Sequence, residues 1–237
     1  MGWLIPFSTL TPEQQNAAMM PTDRHRVITG GPGSGKTLVL LHRFGYLFQR
    51  GGGHPDSGRL FVFTTTLKDF VRAALPDAGV PEDMVTTFDK WCADTYRKHV
   101  GARLPYHQVG RRSQPDFAEI RRAVHEAVVQ RGAMRSAYEF VVVDEGQDLT
   151  VEAIEILAAV SRHVTVAMDG KQQLYDEGAA ENGLLKALGL TKQNVSLIAG
   201  FRCNPMVTAL AAHFLPDGRQ REEFKLQARN ARGDRQK

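Results

Sequence analysis

Gly30-Gly31-Pro32-Gly33-Ser34-Gly35-Lys36-Thr37 is the stretch on which the reading of this chain turns. It satisfies the spacing G-x-x-x-x-G-K-[ST] in full. An apolar run over 25–29 precedes it, and Leu38, Leu40, Leu41, Phe44, Leu47 and Phe48 follow on helical spacing. Strand, glycine loop and helix form the setting the motif requires. Glycines let successive backbone N–H groups curl around a phosphate, and the helix N-terminus adds positive potential. Lys36 is placed to reach β- and γ-phosphates, and the Thr37 hydroxyl to hold Mg²⁺.

Further along, Val141-Val142-Val143-Asp144-Glu145 reads as a buried strand ending in two acids. Asp144 suits a second Mg²⁺ contact, direct or through water, and Glu145 suits orienting and deprotonating an attacking water. Acids after a buried strand also cap helices, and Asp148 is expected to do so for a helix over 149–160.

The remaining pattern alternates. Apolar, β-rich runs fall at 25–29, 59–65, 84–88, 139–143, 163–168 and 195–199, with helical stretches near 12–20, 36–49, 67–75, 115–131, 150–161 and 204–214. Several runs are apolar throughout, as strands covered on both faces are. The expected class is α/β with a mainly parallel sheet. Thr11-Pro12-Glu13-Gln14 marks a helix start, and Gly51-Gly52-Gly53-His54-Pro55 a surface link. The expected organisation is an α/β domain over 1–88 and 137–216, a reduced, mostly helical, basic insertion over 89–136 with an irregular stretch at 100–115, and a polar, mobile tail over 217–237.

Composition narrows the class. The 237 residues are 42% hydrophobic and 24% charged, near the globular average, so disordered, collagen-like and coiled-coil chains are excluded. Neither an 18-residue apolar run nor a secretory leader is present, so no membrane partner is expected. With two cysteines, Cys92 and Cys203, far apart, a reducing cytoplasm is expected. The net charge of +4 is uneven: 89–136 hold ten Lys/Arg against five Asp/Glu, and 217–237 seven against four. That excess serves either solubility or a phosphate-contacting surface.

In order, Leu10-Thr11-Pro12-Glu13-Gln14, the glycine loop and Asp144-Glu145-Gly146-Gln147-Asp148 resemble superfamily 1 helicases of the UvrD/Rep type. Phe63-Thr64-Thr65-Thr66 is similar to the family's first DNA-strand motif, and Thr87-Phe88 to its threonine–phenylalanine pair. Asp169-Gly170-Lys171-Gln172-Gln173-Leu174-Tyr175 is similar to the D-x-x-Q-x-I-Y box, and Gly200-Phe201-Arg202 to the run that follows it. The matches extend from residue 10 to about 214.

The resemblance implies a RecA-like fold that binds and hydrolyses ATP with Mg²⁺ and acts on single-stranded DNA. Gln14 is implied for adenine and Phe201 for stacking on the base. Glu145 is implied as the base, with Gln147 and Gln172 holding γ-phosphate and water and Arg202 neutralising the transferring phosphoryl. Thr64, Thr65, Thr66, Thr87, Phe88 and Tyr175 are implied for the strand.

Some positions depart from the pattern. Leu38 replaces a basic residue, Asp89 a histidine, and Asp176-Glu177 stand where a tryptophan is usual. No counterpart of the second RecA-like domain follows residue 214, so the expected function is the ATP-hydrolysing half of a helicase or translocase, partnered by a second such domain in a longer chain or another subunit. A nucleotide-dependent switch or subunit of a repair or defence complex is the alternative. A P-loop phosphotransferase fits less well, because a D-E-x-Q box suits water activation.

Overall fold

The computed structural model describes residues 4–110, 112–169, 177–192 and 195–197. In chain order the elements are α1 (Pro12–Ala18), β1 (Arg26–Gly30), α2 (Lys36–Arg50), β2 (Gly58–Val62), α3 (Thr65–Arg72), β3 (Val85–Thr87) and α4 (Phe88–His99). Then come β4 (Tyr106–Val109), β5 (Arg112–Pro115), α5 (Phe117–His125), β6 (Tyr138–Val143), α6 (Val151–Val160), β7 (Ser161–Met168), α7 (Glu177–Ala187) and β8 (Val195–Leu197).

Six strands form one parallel sheet in the order β3-β2-β6-β7-β1-β8. Alternate residues feed two cores. Leu60 and Val62 of β2 and Phe140 and Val142 of β6 pack under α1, α2 and α3, beside Phe44 and Leu75. Phe61, Val141 and Val143 point the other way, into a cluster with Trp91 of α4, Ile120 of α5 and Ile154 of α6. Burial on both faces explains why these strands read as continuous apolar runs, and each fully buried Leu, Phe or Ile stabilises the fold by about 1.5–3 kcal/mol. The fold is α/β with a parallel sheet, as expected.

Because all six strands run the same way, their C-terminal ends open on one edge. There β7 lies between β6 and β1, so the segments leaving these three strands are neighbours, at the crevice where open α/β sheets bind ligands.

The 89–136 region departs from expectation in two respects. Residues 100–115 contain an antiparallel hairpin, with Tyr106 paired to Pro115 and Val109 to Arg112 across Gly110 at φ 62°. The strands YHQV and RSQP lack apolar alternation, so periodicity gave no sign of them. The helix expected over 115–131 divides into α5 and a π-helical stretch, Glu126–Gln130. Trp91, Cys92, Ile120 and Val124 share the core under the sheet, so α4 and α5 cover one of its faces. Asp148 does not cap the following helix. Thr150 does, accepting from the Ala153 N–H at 3.3 Å, and Asp148 belongs to a 3₁₀ turn, Gly146–Asp148.

Arg43 of α2 is fully buried, without a carboxylate within salt-bridge distance among the described residues. Its guanidinium donates to Thr165 Oγ1 at 2.6 Å, to the carbonyls of Ala18 and Met20 at 3.2 and 2.9 Å, and to His163 Nε2 at 2.8 Å. Burial lowers its pKa to about 10 and, with the neighbouring Arg43 charge, lowers that of His163 to about 3, so a cation rests on a neutral imidazole. One side chain thus ties α2 to β7 and to the end of α1. Arg43→Ala strands four acceptors beside a cavity, and a loss of about 3–5 kcal/mol is expected. The measure is the urea midpoint at unchanged slope; an unmoved midpoint would show that the cluster does not hold the layers together.

Candidate functional site

The glycine loop leaves β1 and enters α2. Gly35 has φ 85°, a conformation that costs a side chain, and a Cβ there would meet the Gln14 amide at 2.6 Å. Gln14 is buried, 5% exposed. Its Oε1 accepts from the Thr11 N–H at 3.1 Å and its Nε2 donates to the Ser34 carbonyl at 3.1 Å. The first pairing completes a capping box with Thr11; the second fastens α1 to the loop. One N–H and one lone pair are left over for another partner, but the amide lies under the loop.

Lys36 Nζ donates to the carbonyls of Gly30 and Gly31 at 2.8 and 3.2 Å and lies 4.0 Å from Asp169 Oδ2. The cation is therefore held across the loop. The Ser34 hydroxyl is buried without a hydrogen-bond partner among the described residues.

Thr37 and Asp144 meet, the hydroxyl donating to Asp144 Oδ2 at 2.7 Å. Since the hydroxyl spends its proton on the carboxylate, its lone pairs stay available to a cation. Two hard oxygens side by side, next to the glycine loop, are a donor pair that suits Mg²⁺. Among the described residues no cluster of three His, Cys, Asp or Glu side chains forms a caged metal site.

Glu145 follows at φ 54°, left-handed for a residue with a Cβ, at a cost of order 1 kcal/mol. Its N–H donates to Asp144 Oδ1 at 3.0 Å, and its Oε2 accepts from Gln147 Nε2 at 2.7 Å. Gln147 Oε1 in turn accepts from the Asp169 N–H at 3.0 Å, joining the end of β6 to the end of β7. Gly146 sits so close to β7 that a Cβ would overlap the Val166 side chain.

Asp169, 1% exposed, was legible as part of a motif but not as a neighbour of Lys36. The signal was available, because it follows an apolar strand just as Asp144 does. Gln172, Tyr175, Phe201 and Arg202 lie outside the described residues, as do the helix expected over 204–214 and the tail over 217–237.

On the same sheet edge, Thr64 caps α3, accepting from the Leu67 N–H at 3.1 Å, and Thr87 caps α4, accepting from the Lys90 N–H at 3.3 Å. Thr64, Thr65 and Thr66 are exposed. Phe88 is not a surface residue. It is 6% exposed, stacked on Trp91 with 6.2 Å between centroids and edge-on to Phe61, so it holds the core rather than offering a face to a strand. Asp89 pairs with Arg121 at 2.6 Å.

Residues 10–108 match the UvrD/REP helicase N-terminal domain family. The chain is 20% identical to a "Probable DNA helicase II homolog" of Mycoplasma capricolum, over 93% of this chain and 43% of that protein. A shorter stretch, 38% of the chain, is 33% identical to 8% of the "ATP-dependent DNA helicase SRS2" of Saccharomyces cerevisiae. The chain thus spans less than half the length of these relatives. Domain III of the Thermotoga maritima replication initiation protein DnaA is 16% identical, with a TM-score of 0.43 over 89% of this chain and 73% of that one. Bacteroides Pif1 bound to ssDNA is 17% identical, with a TM-score of 0.33 over 68% and 32%. No helix among the described residues is long and apolar enough to cross a membrane.

Burial pushes the Asp144 carboxyl up to about 6 from 3.8; the Thr37 hydrogen bond opposes the rise and the Glu145 charge adds to it. A folded value above the unfolded one means that the native chain binds the proton more tightly, so stability falls as pH rises from about 4 to about 6, and the full penalty persists above that. Without metal at pH 8, Asp144→Asn is expected to stabilise the chain by about 1–3 kcal/mol, with the gain vanishing near pH 4. Thermal melts at both pH values check this; equal shifts at each would exclude the burial penalty as the cause.

Proposed function

We propose that residues 1–237 are the ATP-binding and hydrolysing half of a superfamily 1 DNA helicase or translocase acting on single-stranded DNA. The observation that carries the reading is the convergence of Lys36, the Thr37–Asp144 pair and Glu145 from the ends of β1 and β6, on either side of β7. A triphosphate entering the 30–37 loop would draw Lys36 Nζ off its carbonyls and onto the β- and γ-phosphates. Mg²⁺, held by Thr37 and Asp144, would supply charge neutralisation at those phosphates.

Glu145 accepts a proton from the attacking water, and Gln147 keeps its carboxylate aimed. Gln172 and Arg202 are assigned to the γ-phosphate, and Phe201 to the base, on resemblance. Gln14 holds the loop by way of Ser34, and its adenine contact would use its remaining N–H and lone pair. Thr64, Thr65, Thr66, Thr87 and Tyr175 are assigned to the strand.

Two substitutions separate binding from chemistry. Lys36→Ala should lose nearly all triphosphate binding, because the phosphates lose their mobile cation. Glu145→Gln keeps shape but removes the base, so labelled ATP still binds while hydrolysis falls by roughly 10²–10⁴-fold. Parental hydrolysis by the Glu145 variant would remove that residue from the mechanism.

Strand separation requires a second RecA-like domain closing on the nucleotide, and an arginine supplied in that way is worth roughly 10³–10⁵ in kcat. Residues 1–237 on their own are therefore expected to hydrolyse ATP slowly and to separate no duplex. A strand-displacement assay on a tailed duplex tests this, and robust unwinding by the monomer would overturn the half-motor reading.

A further inference from the structure

The hairpin β4–β5 brings an aromatic side chain to the strand face that the motifs did not mark. Tyr106 is 58% exposed. One exposed tyrosine is ordinary on a protein surface; what singles it out is its company. It lines a groove of about 460 Å³ whose other wall holds Phe63, Thr65 and Thr87, at the ends of β2 and β3. Phe63 is itself 53% exposed. The groove thus has threonine hydroxyls at two helix starts and aromatic surface from two separate parts of the chain.

Tyr106 is also held in place. It stands at the foot of the hairpin, opposite Pro115, and not at the Gly110 tip. Directly after Pro115, the Asp116 N–H donates to the Pro105 carbonyl at 2.9 Å, and the Asp116 side chain caps α5 by accepting from Glu119 N–H at 3.0 Å. The base of the hairpin is thereby pinned to a helix buried in the core.

The charges of the groove balance. Its lining has two cations, Lys90 and Arg97, and two acids, Asp89 and Asp94. Lys90 and Arg97 both pair with Asp94, at 2.8 and 3.1 Å, and Asp89 pairs with Arg121. The basic composition of 89–136 therefore does not become a positive groove, and phosphate attraction contributes little there. Stacking, which is available to every base because every base has a π-face, is the interaction the lining supports.

We propose that Tyr106 is a base-stacking platform for single-stranded DNA in this groove. The inference rests on the strand-binding reading above and adds the residue that grips the base. The whole 237-residue chain is titrated against a fluorescent oligothymidylate and against an oligonucleotide of equal length carrying abasic sites. Tyr106→Ala should weaken oligothymidylate binding by about five- to hundredfold, the equivalent of one stacked base, while Tyr106→Phe, which keeps the ring, should bind like the parent. The abasic strand should bind weakly to the parent and equally weakly to the alanine variant. Unchanged melting temperatures show that the variants are folded. If the parent binds oligothymidylate and Tyr106→Ala binds it equally well, or if abasic and normal strands bind the parent alike, the platform is overturned while strand binding stands. If the parent binds neither strand, the strand-binding reading falls and the platform with it.

Discussion

The hydrogen bond from Thr37 to Asp144 joins residues 107 positions apart, and the rest of the site is arranged around it. It requires that the loop after β1 and the acids after β6 reach the same edge at the same height. A parallel sheet with β7 between the two strands meets that requirement, and burial on both faces locks its register, since a slip by one residue would turn each strand's apolar set to the wrong core. The price of the arrangement is a carboxyl buried at 3% exposure and raised to about 6, which one hydroxyl and one amide only partly offset.

Around that bond the polar groups form a chain: the Glu145 N–H reaches Asp144, Gln147 reaches Glu145, and the Asp169 N–H reaches Gln147. Buried networks of this kind fix geometry only when their members are satisfied. The left-handed backbone at Glu145 and the close approach of Gly146 to β7 are what bring Gln147 between two strand ends. A change at the end of β7 is thereby felt at the carboxylate assigned to the water.

Charge illustrates the difference between composition and surface. Residues 89–136 are strongly basic, yet Lys90, Arg97, Arg121 and Arg122 each have an acid partner. Exposed pairs of this kind contribute little to stability, but they cancel the local field. Aromatic and threonine surface, not net charge, gives the groove its character.

Local spacing in the sequence was enough to determine the strand–glycine loop–helix unit, the strand ending in Asp144 and Glu145, the helix start at Thr11 and the α/β class, because each depends on residues within one turn or one strand of each other. Tertiary structure decided what depends on distant neighbours. Phe88 is core because Trp91 and Phe61 enclose it. Arg43, unremarkable on a helix, becomes a buried tie because Thr165 and His163 come opposite it. The hairpin escaped notice because its strands carry no apolar alternation, and Tyr106 gained a role when the fold set it across a groove from Phe63. Hydrophobic periodicity and motif spacing are local quantities; the pairing of charges, the burial of a ring and the walls of a groove come into being only when the chain closes on itself.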